Sequence, residues 1–266
     1  MCRVIGLVAM LACTMTCGCK LLWRPSDELR HGSYVPYQKL FTGSHEFAKR
    51  QTYIILSGPA QFRATMDSQN ETVDWSGGEK GFSSGLAVGY DSEGYLITSA
   101  HALHTTNFVL GWFDGRMDVK PARVVFRRDS NTHADFALVK INGRLDYCAH
   151  LGDKPKIGDR IFAVVGYRNK TGVMIAFASG KVLSVEADPV GGPLDLIRTD
   201  VPLWFGDSGG PLLSSNGRVI GINSGVRFTW NQHWSDSFYT DSQFIQYLIA
   251  EDRGLKAPRR KEIDSP

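Results

Sequence analysis

The sequence predicts an all-β protein, and three features of the chain favour that class. From Tyr53 onward, short apolar runs alternate with turn residues at fairly even spacing. Turn sequences typical of hairpins, among them Asn-Gly, Asp-Gly and Asp-Ser-Glu-Gly, separate these runs. No long helical period occurs before residue 240. Many short antiparallel strands fit a barrel better than an open sandwich, although periodicity alone does not choose between the two.

The strands are expected to follow one another as hairpins. Each predicted pair has an apolar run on either side of a turn: 83–90 with 95–100, 108–113 with 116–127, 161–167 with 173–178, and 211–215 with 218–226. A further apolar run over 135–141 is expected to form a strand that ends at an Asn-Gly turn. With 266 residues, of which 42% are hydrophobic, the chain is long enough to bury one large core or two small ones.

One helix is expected, at the C-terminal end over residues 240–251. Thr240 is its predicted N-cap, and Gln243, three residues later, completes a capping box. Four apolar side chains then share one face that docks on the sheet, namely Phe244, Tyr247, Leu248 and Ile249. Residues 252–266 are polar and are expected to form a flexible tail.

Composition narrows the possible partners. The formal net charge is only +3, which does not point to nucleic acid, so no nucleic-acid partner is predicted. The body of the chain has no His-Glu-x-x-His or Cys-x-x-Cys pair, so no metal site is predicted. The glycine-rich stretch at 206–210 ends at Pro211, where the helix of a phosphate-binding loop would have to run, and no cofactor is expected.

Residues 1–19 have the layout of a secretory signal. Arg3 is followed by an apolar run over 4–12, which is too short to span a membrane. The segment resembles a bacterial lipoprotein signal, in which a cysteine that follows a small residue is lipidated. Cys19 is the preferred lipidation site, and Cys13 and Cys17 are alternatives.

A plain cleaved signal is the other interpretation of this segment. Residues 20–50 mix Pro, Gly, Ser and charges without an apolar period, which is typical of a tether. Cys148 is the only cysteine in the body of the protein, so the predicted domain must be stable without a disulfide.

A candidate nucleophile lies in the stretch Phe-Gly-Asp-Ser-Gly-Gly-Pro. Glycines in such density allow a sharp bend that brings backbone N–H groups close to a ligand. Ser208, held in this bend, would project its hydroxyl into a shaped site. A serine hydroxyl is a poor nucleophile until a neighbouring base removes its proton, and histidine suits that task near neutral pH.

The chain offers candidates for the base and for the acid that orients it. His101 ends a strand-like run, where a strand would deliver a polar side chain to a rim, and His104 could compete with it. Asp135 begins an otherwise apolar strand, and a carboxylate buried there would need a partner. Taken singly, each of these residues fits an ordinary structural role as well.

Together the three segments resemble the chymotrypsin-like serine peptidases. The matching sequences are Thr-Ser-Ala-His up to His101, Ala-Asp-Phe-Ala-Leu-Val-Lys around Asp135, and Gly-Asp-Ser-Gly-Gly-Pro around Ser208. Their compact spacing, and Gly-Arg-Val-Ile-Gly-Ile-Asn-Ser-Gly after the serine, are similar to the bacterial envelope proteases of the HtrA (high-temperature-requirement) group. The resemblance covers about residues 80–250.

This resemblance implies the trypsin-like fold, which is two antiparallel six-stranded β-barrels with the site in the cleft between them and a C-terminal helix behind. The protease domain is then expected over 51–250, with one barrel to about residue 145 and the other at about 150–240. Because few residues follow the helix, no PDZ domain is expected after it.

The resemblance also implies a role for each site residue. It makes the protein a serine endopeptidase in which Ser208 is the nucleophile, His101 the general base, and Asp135 the group that orients His101. It places the oxyanion hole at the backbone N–H groups of Gly206 and Ser208. Asp207 is expected to be structural.

Four residues are implied to line the primary specificity pocket, namely Pro202, Ser224, Gly225 and Val226. Pro202 stands where trypsin has an acidic residue, and Val226 would narrow the pocket. These two differences predict cleavage of polypeptides after small or medium apolar residues.

Two alternatives stay open. One is a catalytically silent protease-fold protein that acts in binding or as a scaffold, and the other is a secreted eukaryotic peptidase with a plain cleaved signal.

The expected location is extracytoplasmic, in the cell envelope or periplasm, with a lipid anchor to a bacterial membrane, and otherwise secreted. The predicted partners are polypeptide substrates and, through the anchor, a membrane.

Overall fold

The computed structural model describes residues 50–67, 72–78, 81–129, 134–169, 172–189, 191–229 and 232–255. The predicted signal, nearly all of the predicted tether, and the candidate lipidation sites Cys13, Cys17 and Cys19 lie outside these ranges. Within the ranges, no helix has the length and apolar content that a bilayer crossing requires.

The N-terminal half forms a closed antiparallel barrel. Its strands, and a two-stranded sheet inserted among them, are β1 (Thr52–Gly58), β2 (Arg63–Asp67), β3 (Thr72–Ser76), β4 (Ser83–Asp91), β5 (Tyr95–Thr98), β6 (Thr106–Phe113), β7 (Arg116–Arg128) and β8 (Phe136–Ile141). The barrel closes in the order β1-β4-β5-β8-β7-β6, and β2 and β3 form a separate two-stranded sheet. The hairpin formed by β2 and β3 was not among the predicted pairs.

The C-terminal half forms a second closed antiparallel barrel. Its strands are β9 (Arg160–Asn169), β10 (Gly172–Glu186), β11 (Asp195–Thr199), β12 (Pro211–Ser214), β13 (Val219–Thr229) and β14 (Gln232–Tyr239), in the order β10-β11-β14-β13-β12-β9. Helix α1 (Ser242–Asp252) follows. The predicted fold, two six-stranded barrels with a C-terminal helix, is confirmed.

Strand β1 shows how one barrel packs on both of its faces. Side chains alternate across a strand, so Tyr53 and Ile55 belong to the core inside the barrel, while Ile54 and Leu56 belong to a second core outside it. All seven residues of β1 are buried. The outer core also contains residues of the second barrel and of α1, so it joins the two halves of the domain.

The predicted capping of α1 is wrong by one residue. Asp241 is the N-cap, and its carboxylate accepts the backbone N–H of Phe244 at 2.7 Å. A carboxylate at this position satisfies a free N–H and also interacts favourably with the positive end of the helix dipole. Thr240 is buried instead. Ile245, which was not among the residues predicted to dock on the sheet, is fully buried as well.

The C-terminal end of α1 is bound to the first barrel. The Arg123 guanidinium donates to both carboxylate oxygens of Asp252, at 2.7 and 2.5 Å, and the Tyr95 hydroxyl donates to the same carboxylate at 2.8 Å. Arg253 pairs with Glu93 at 2.5 Å. Residues 252 and 253 therefore belong to the packed domain and not to the predicted flexible tail.

Candidate active site

Two neighbouring strands of the first barrel bring His101 and Asp135 together. Strands β5 and β8 pair through Thr98 and Ala137, and each of these residues lies close in sequence to one of the two site residues. His101 follows β5 on a short 3-10 helix (Ala100–Ala102), and Asp135 immediately precedes β8. Ser208 comes from the second barrel, in the loop between β11 and β12.

The three side chains form a continuous series of contacts. The backbone N–H of His101 donates to Asp135 Oδ1 at 2.9 Å, and His101 Nδ1 lies 2.5 Å from Asp135 Oδ2. His101 Nε2 lies 2.9 Å from Ser208 Oγ. Since a carboxylate accepts hydrogen bonds, the ring proton belongs on Nδ1, which leaves the lone pair of Nε2 facing the Ser208 hydroxyl.

His104, the competing candidate, does not take this place. Its backbone N–H donates to Asn107 Oδ1 at 3.0 Å, and its carbonyl accepts from Asn107 Nδ2 at 2.9 Å. These bonds form the turn that leads into β6. The histidine that contacts the serine is His101.

Asp135 is almost completely buried, with a side chain that is 1% exposed. Burial by itself raises the pKa of this carboxyl, but hydrogen bonds and the attraction of His101, together with a hydrogen bond from Ser224, outweigh it and hold the pKa below its usual value. The Ser224 hydroxyl donates to Asp135 Oδ2 at 2.5 Å. The carboxylate therefore stays ionised beside the imidazole.

The loop around Ser208 is built on glycines. Gly206, two residues before Ser208, has φ of +102°, a conformation that L residues rarely adopt. Among the described residues, neither the Gly206 N–H nor the Ser208 N–H has a hydrogen-bond acceptor. Two unpaired donors in the loop that carries the serine in contact with His101 are suited to binding a negatively charged oxygen.

Asp207 closes this loop and is buried. Its carboxylate accepts the backbone N–H of Trp204 at 2.7 Å, and its own N–H donates to the Trp204 carbonyl at 3.1 Å. Both bonds stay within the loop. They agree with the expectation that Asp207 is structural.

Contacts from both barrels hold the backbone around Ser208 in place. The Leu86 N–H, in the first barrel, donates to the Ser208 carbonyl at 2.7 Å. In the second barrel, the Gly209 N–H donates to the Asn223 carbonyl at 2.7 Å, and the Asn223 N–H donates to the Gly210 carbonyl at 2.8 Å. These supports were not predictable from the sequence, because main-chain bonds between distant segments leave no signature in residue type.

The four predicted pocket residues lie in two segments of the second barrel. Ser224, Gly225 and Val226 are in β13, and Pro202 is exposed in the loop after β11. The Ser224 carbonyl lies 3.2 Å from Ser208 Oγ, and its hydroxyl contacts Asp135, which the sequence did not predict. The carbonyl of Val201, the residue before Pro202, accepts a hydrogen bond from the Ser235 hydroxyl. Ser235 is the strand partner of Val226, so this bond links the Pro202 loop to the strand pair that contains Val226.

Two clefts elsewhere on the surface include no member of this group. One, of about 400 Å³, lies around Lys181 and Asp200, and the other, of about 570 Å³, lies around His150 and Arg218. Within the described ranges, no three His, Cys, Asp or Glu side chains are arranged to hold a metal ion.

The family model for the trypsin-like peptidase domain matches residues 83–222, which is 140 of the 266 residues. The chain belongs to the trypsin-like peptidase family. A second model of the family, described as trypsin, matches residues 199–249.

Individual relatives agree with the predicted resemblance to the HtrA group. The chain is 31% identical over 140 residues to the "Probable periplasmic serine endoprotease DegP-like" of Pseudomonas putida (strain W619), covering 51% of this chain and 27% of that protein. It is 30% identical over 172 residues to "Serine protease Do-like HtrB" of Bacillus subtilis (strain 168), covering 59% and 36%. The chain thus spans about a third or less of the length of these relatives.

A solved structure shares the fold. The crystal structure of Deg5 superposes with a TM-score of 0.51 at 20% sequence identity, covering 76% of this chain and 88% of that one. At this identity the likeness supports the two-barrel fold and nothing finer.

Proposed function

We propose that this protein is a serine endopeptidase that hydrolyses peptide bonds through an acyl-enzyme intermediate. The observation that carries the proposal is the unbroken series of contacts from Asp135 through His101 to Ser208, at 2.5 and 2.9 Å. A nucleophile, a base within hydrogen-bond reach and a carboxylate that orients the base are the arrangement that acyl transfer requires.

In the first half of the reaction, Ser208 Oγ attacks the carbonyl carbon of the scissile bond. The hydroxyl proton moves to His101 Nε2, and the carbonyl oxygen becomes an oxyanion bound by the N–H groups of Gly206 and Ser208. The C–N bond then breaks, and the leaving amine takes the proton from His101. In the second half, water attacks the acyl carbon while His101 Nε2 takes its proton. The bond between that carbon and Ser208 Oγ then breaks, and His101 returns the proton to Oγ, which releases the acid and restores the Ser208 hydroxyl.

Asp135 stabilises the imidazolium that forms in each half without taking its proton. Its lowered pKa and its burial fit this role, because an ionised carboxylate in a poorly solvated position interacts strongly with a neighbouring positive charge. The two donors of the oxyanion hole stabilise the opposite charge, and the loss of one such donor costs about 10² to 10³ in rate. No step requires a metal ion or a cofactor.

The substrates we propose are polypeptides cleaved after small or medium apolar residues. Pro202 supplies no carboxylate for a basic side chain, and an unpaired Lys or Arg would lose its hydration without gaining a partner. Val226, which is half-buried on β13, would leave little space for a large aromatic side chain.

The location we propose is extracytoplasmic, in line with the word periplasmic in the names of the Pseudomonas relatives. The N-terminal signal supports the same location, with Cys19 as the anchored residue. A lipid chain there, followed by the tether of residues 20–50, would let the domain reach polypeptides some distance from the membrane surface.

A fluorophosphonate probe tests the proposal directly, since it forms a covalent adduct with an activated serine. The wild-type protein should label at Ser208, the Ser208→Ala variant should not, and His101→Ala should label far more slowly. Ser215→Ala, which removes an exposed serine in the turn after β12, is the matched control and should label like the wild type. Equal labelling of the wild type and Ser208→Ala would instead favour the catalytically silent binding or scaffold protein.

A further inference from the structure

Two aromatic side chains stand exposed beside the candidate site. Trp204 is 64% exposed and Phe205 is 40% exposed, and their ring centroids lie 6.0 Å apart in an edge-to-face arrangement. In the described part of the chain, they are the only aromatic residues among the exposed large hydrophobic side chains. Scattered exposed aliphatic residues are ordinary, but two adjacent exposed aromatic residues beside a reactive group mark a binding surface.

The backbone keeps this pair exposed. Trp204 is bonded through both its N–H and its carbonyl to buried Asp207, and Leu203, just before it, is buried in the core of the second barrel. The segment is therefore anchored on both sides, so the two rings cannot turn inward by a simple shift of the loop.

The position of the pair defines what can reach it. Phe205 immediately precedes Gly206, whose N–H is one of the two free donors beside Ser208. A polypeptide whose carbonyl oxygen is bound by those donors therefore has the side chains that flank its scissile bond near the segment that carries Phe205 and Trp204. An apolar flanking side chain would bury ring surface, whereas a charged or strongly polar one would lose hydration without gaining a partner.

We infer that Trp204 and Phe205 form a substrate-binding surface that selects polypeptides with apolar side chains within about two residues of the scissile bond. This inference rests on the proposed peptidase function.

The size of the surface argues for this occupant over a second copy of the chain. A stable protein–protein interface buries about 800 Å² on each partner. One Trp and one Phe offer at most about 150–250 Å² each, and both are partly covered already. An area of this size suits one or two side chains of an extended peptide.

Kinetics on matched peptides test the inference. Two peptides share the residue immediately before the scissile bond. They differ only in carrying Leu or Ser at the next residue on that side and at the two residues after the bond. In Trp204→Ala and Phe205→Ala, KM for the Leu peptide should rise about tenfold, while KM for the Ser peptide should change less than twofold. Ile157→Ala removes a 71% exposed side chain from another loop and should leave both constants unchanged.

Binding to the inactive Ser208→Ala variant gives a second measurement. Addition of the Leu peptide should shift tryptophan emission to shorter wavelength and protect it from acrylamide quenching, and Trp204→Phe in the same background should remove most of the change. An unchanged ratio of the two KM values in Trp204→Ala would overturn the inference. A concentration-dependent dimer that Trp204→Ala abolishes would overturn it as well, in favour of a second copy.

The probe-labelling result separates this inference from the proposed function. If Ser208 fails to label in the wild type, the peptidase proposal fails, and the fluorescence measurement still tests the aromatic surface. If Ser208 labels and the two peptides respond alike in Trp204→Ala, only the inference about the surface fails.

Discussion

The carboxylate of Asp135 holds His101 at two points, one on the backbone and one on the ring. Oδ1 accepts the main-chain N–H at 2.9 Å, and Oδ2 contacts ring Nδ1 at 2.5 Å, across 34 residues of sequence. Two contacts to one rigid carboxylate fix both the position of the short 3-10 helix and the rotation of the ring. The tautomer of His101 and the orientation of its ring toward Ser208 therefore both depend on the Asp135 carboxylate.

Asp135→Asn should lower kcat by about 10⁴ with little loss of stability. The amide would present an N–H to Nδ1, which would place the ring proton on Nε2 and remove the base from Ser208. We expect kcat to fall at neutral pH while KM stays near the wild-type value. Circular dichroism and urea unfolding check that the fold persists, and a kcat within tenfold of the wild type would contradict the orienting role.

Gly209→Ala should destabilise the domain far more than Gly217→Ala. Both glycines have positive φ, +85° and +78°, so either alanine costs about 1–2 kcal/mol of backbone strain. A Cβ at Gly209 would also lie 1.9 Å from the Leu86 carbonyl and 2.2 Å from Thr98 Oγ1, whereas a Cβ at Gly217 meets nothing within 4 Å.

Urea unfolding of the two glycine variants measures this difference. We expect Gly209→Ala to lose more than about 3 kcal/mol of unfolding free energy, or to fail to accumulate, and to lose probe labelling at Ser208. Gly217→Ala should lose about 1 kcal/mol and should label normally. Equal losses in the two variants would show that the space around Gly209 is not tight.

Asp252→Asn should weaken the attachment of α1, by an amount that depends on pH. The hydrogen bonds from Arg123 are the main cause that holds the pKa of Asp252 below its usual value, although partial burial opposes them. A carboxyl with a lowered folded-state pKa stabilises the protein above the unfolded-state pKa of about 3.9, and this stabilisation is lost as pH falls through the folded-state value.

The stability difference between wild type and Asp252→Asn should therefore be constant above about pH 5 and should shrink below about pH 4. We expect about 1–2 kcal/mol at pH 7, because Arg123 is about half exposed and its pairing is partly screened. Asp118→Asn, which removes a pair with a 78% exposed arginine, is the control and should change stability by less than about 0.5 kcal/mol. A difference that persists undiminished at pH 3 would rule out the carboxylate as its source.

A peptide-library digest read by mass spectrometry should show cleavage after Val, Ala or Leu. Discrimination among these should be modest, since one methylene group is worth only about 1–3 kcal/mol in such a pocket. Enlarging the pocket with Val226→Gly should extend cleavage to Phe and Tyr. Dominant cleavage after Lys or Arg would show that Pro202 has been assigned to the wrong position in the pocket.

Mass spectrometry of the mature N-terminus should find a lipid-modified Cys19, and the protein should partition with membranes. Cys19→Ala should release it into the soluble fraction with unchanged probe labelling, because the tether separates the anchor from the domain. A lipid found on Cys13 or Cys17 instead would assign the anchor to a different cysteine of the same signal segment. If the mature N-terminus begins after Cys19 and carries no lipid, the protein is secreted and is not anchored.

The candidate triad was predictable because each of its members lies in a segment with a local pattern. Ser208 lies between glycines, His101 ends an apolar run, and Asp135 begins one. The helix cap was predicted one residue early because Thr240 and Asp241 are both acceptable caps in isolation. The burial of Thr240 in the folded domain decided for Asp241.

The sequence by itself determined the all-β class, most of the strand runs and the three candidate residues His101, Asp135 and Ser208, since these depend on residue type, periodicity and spacing along the chain. The arrangement as two barrels was an expectation from the family resemblance, which the structure confirmed. Only the tertiary structure decided that Ser224 donates to Asp135, that Asn223 and Leu86 support the backbone around Ser208, and that Trp204 and Phe205 remain exposed. The physical reason is that these contacts join segments from different strands and, for Leu86, from different barrels. Their geometry exists only after both barrels have closed and packed together.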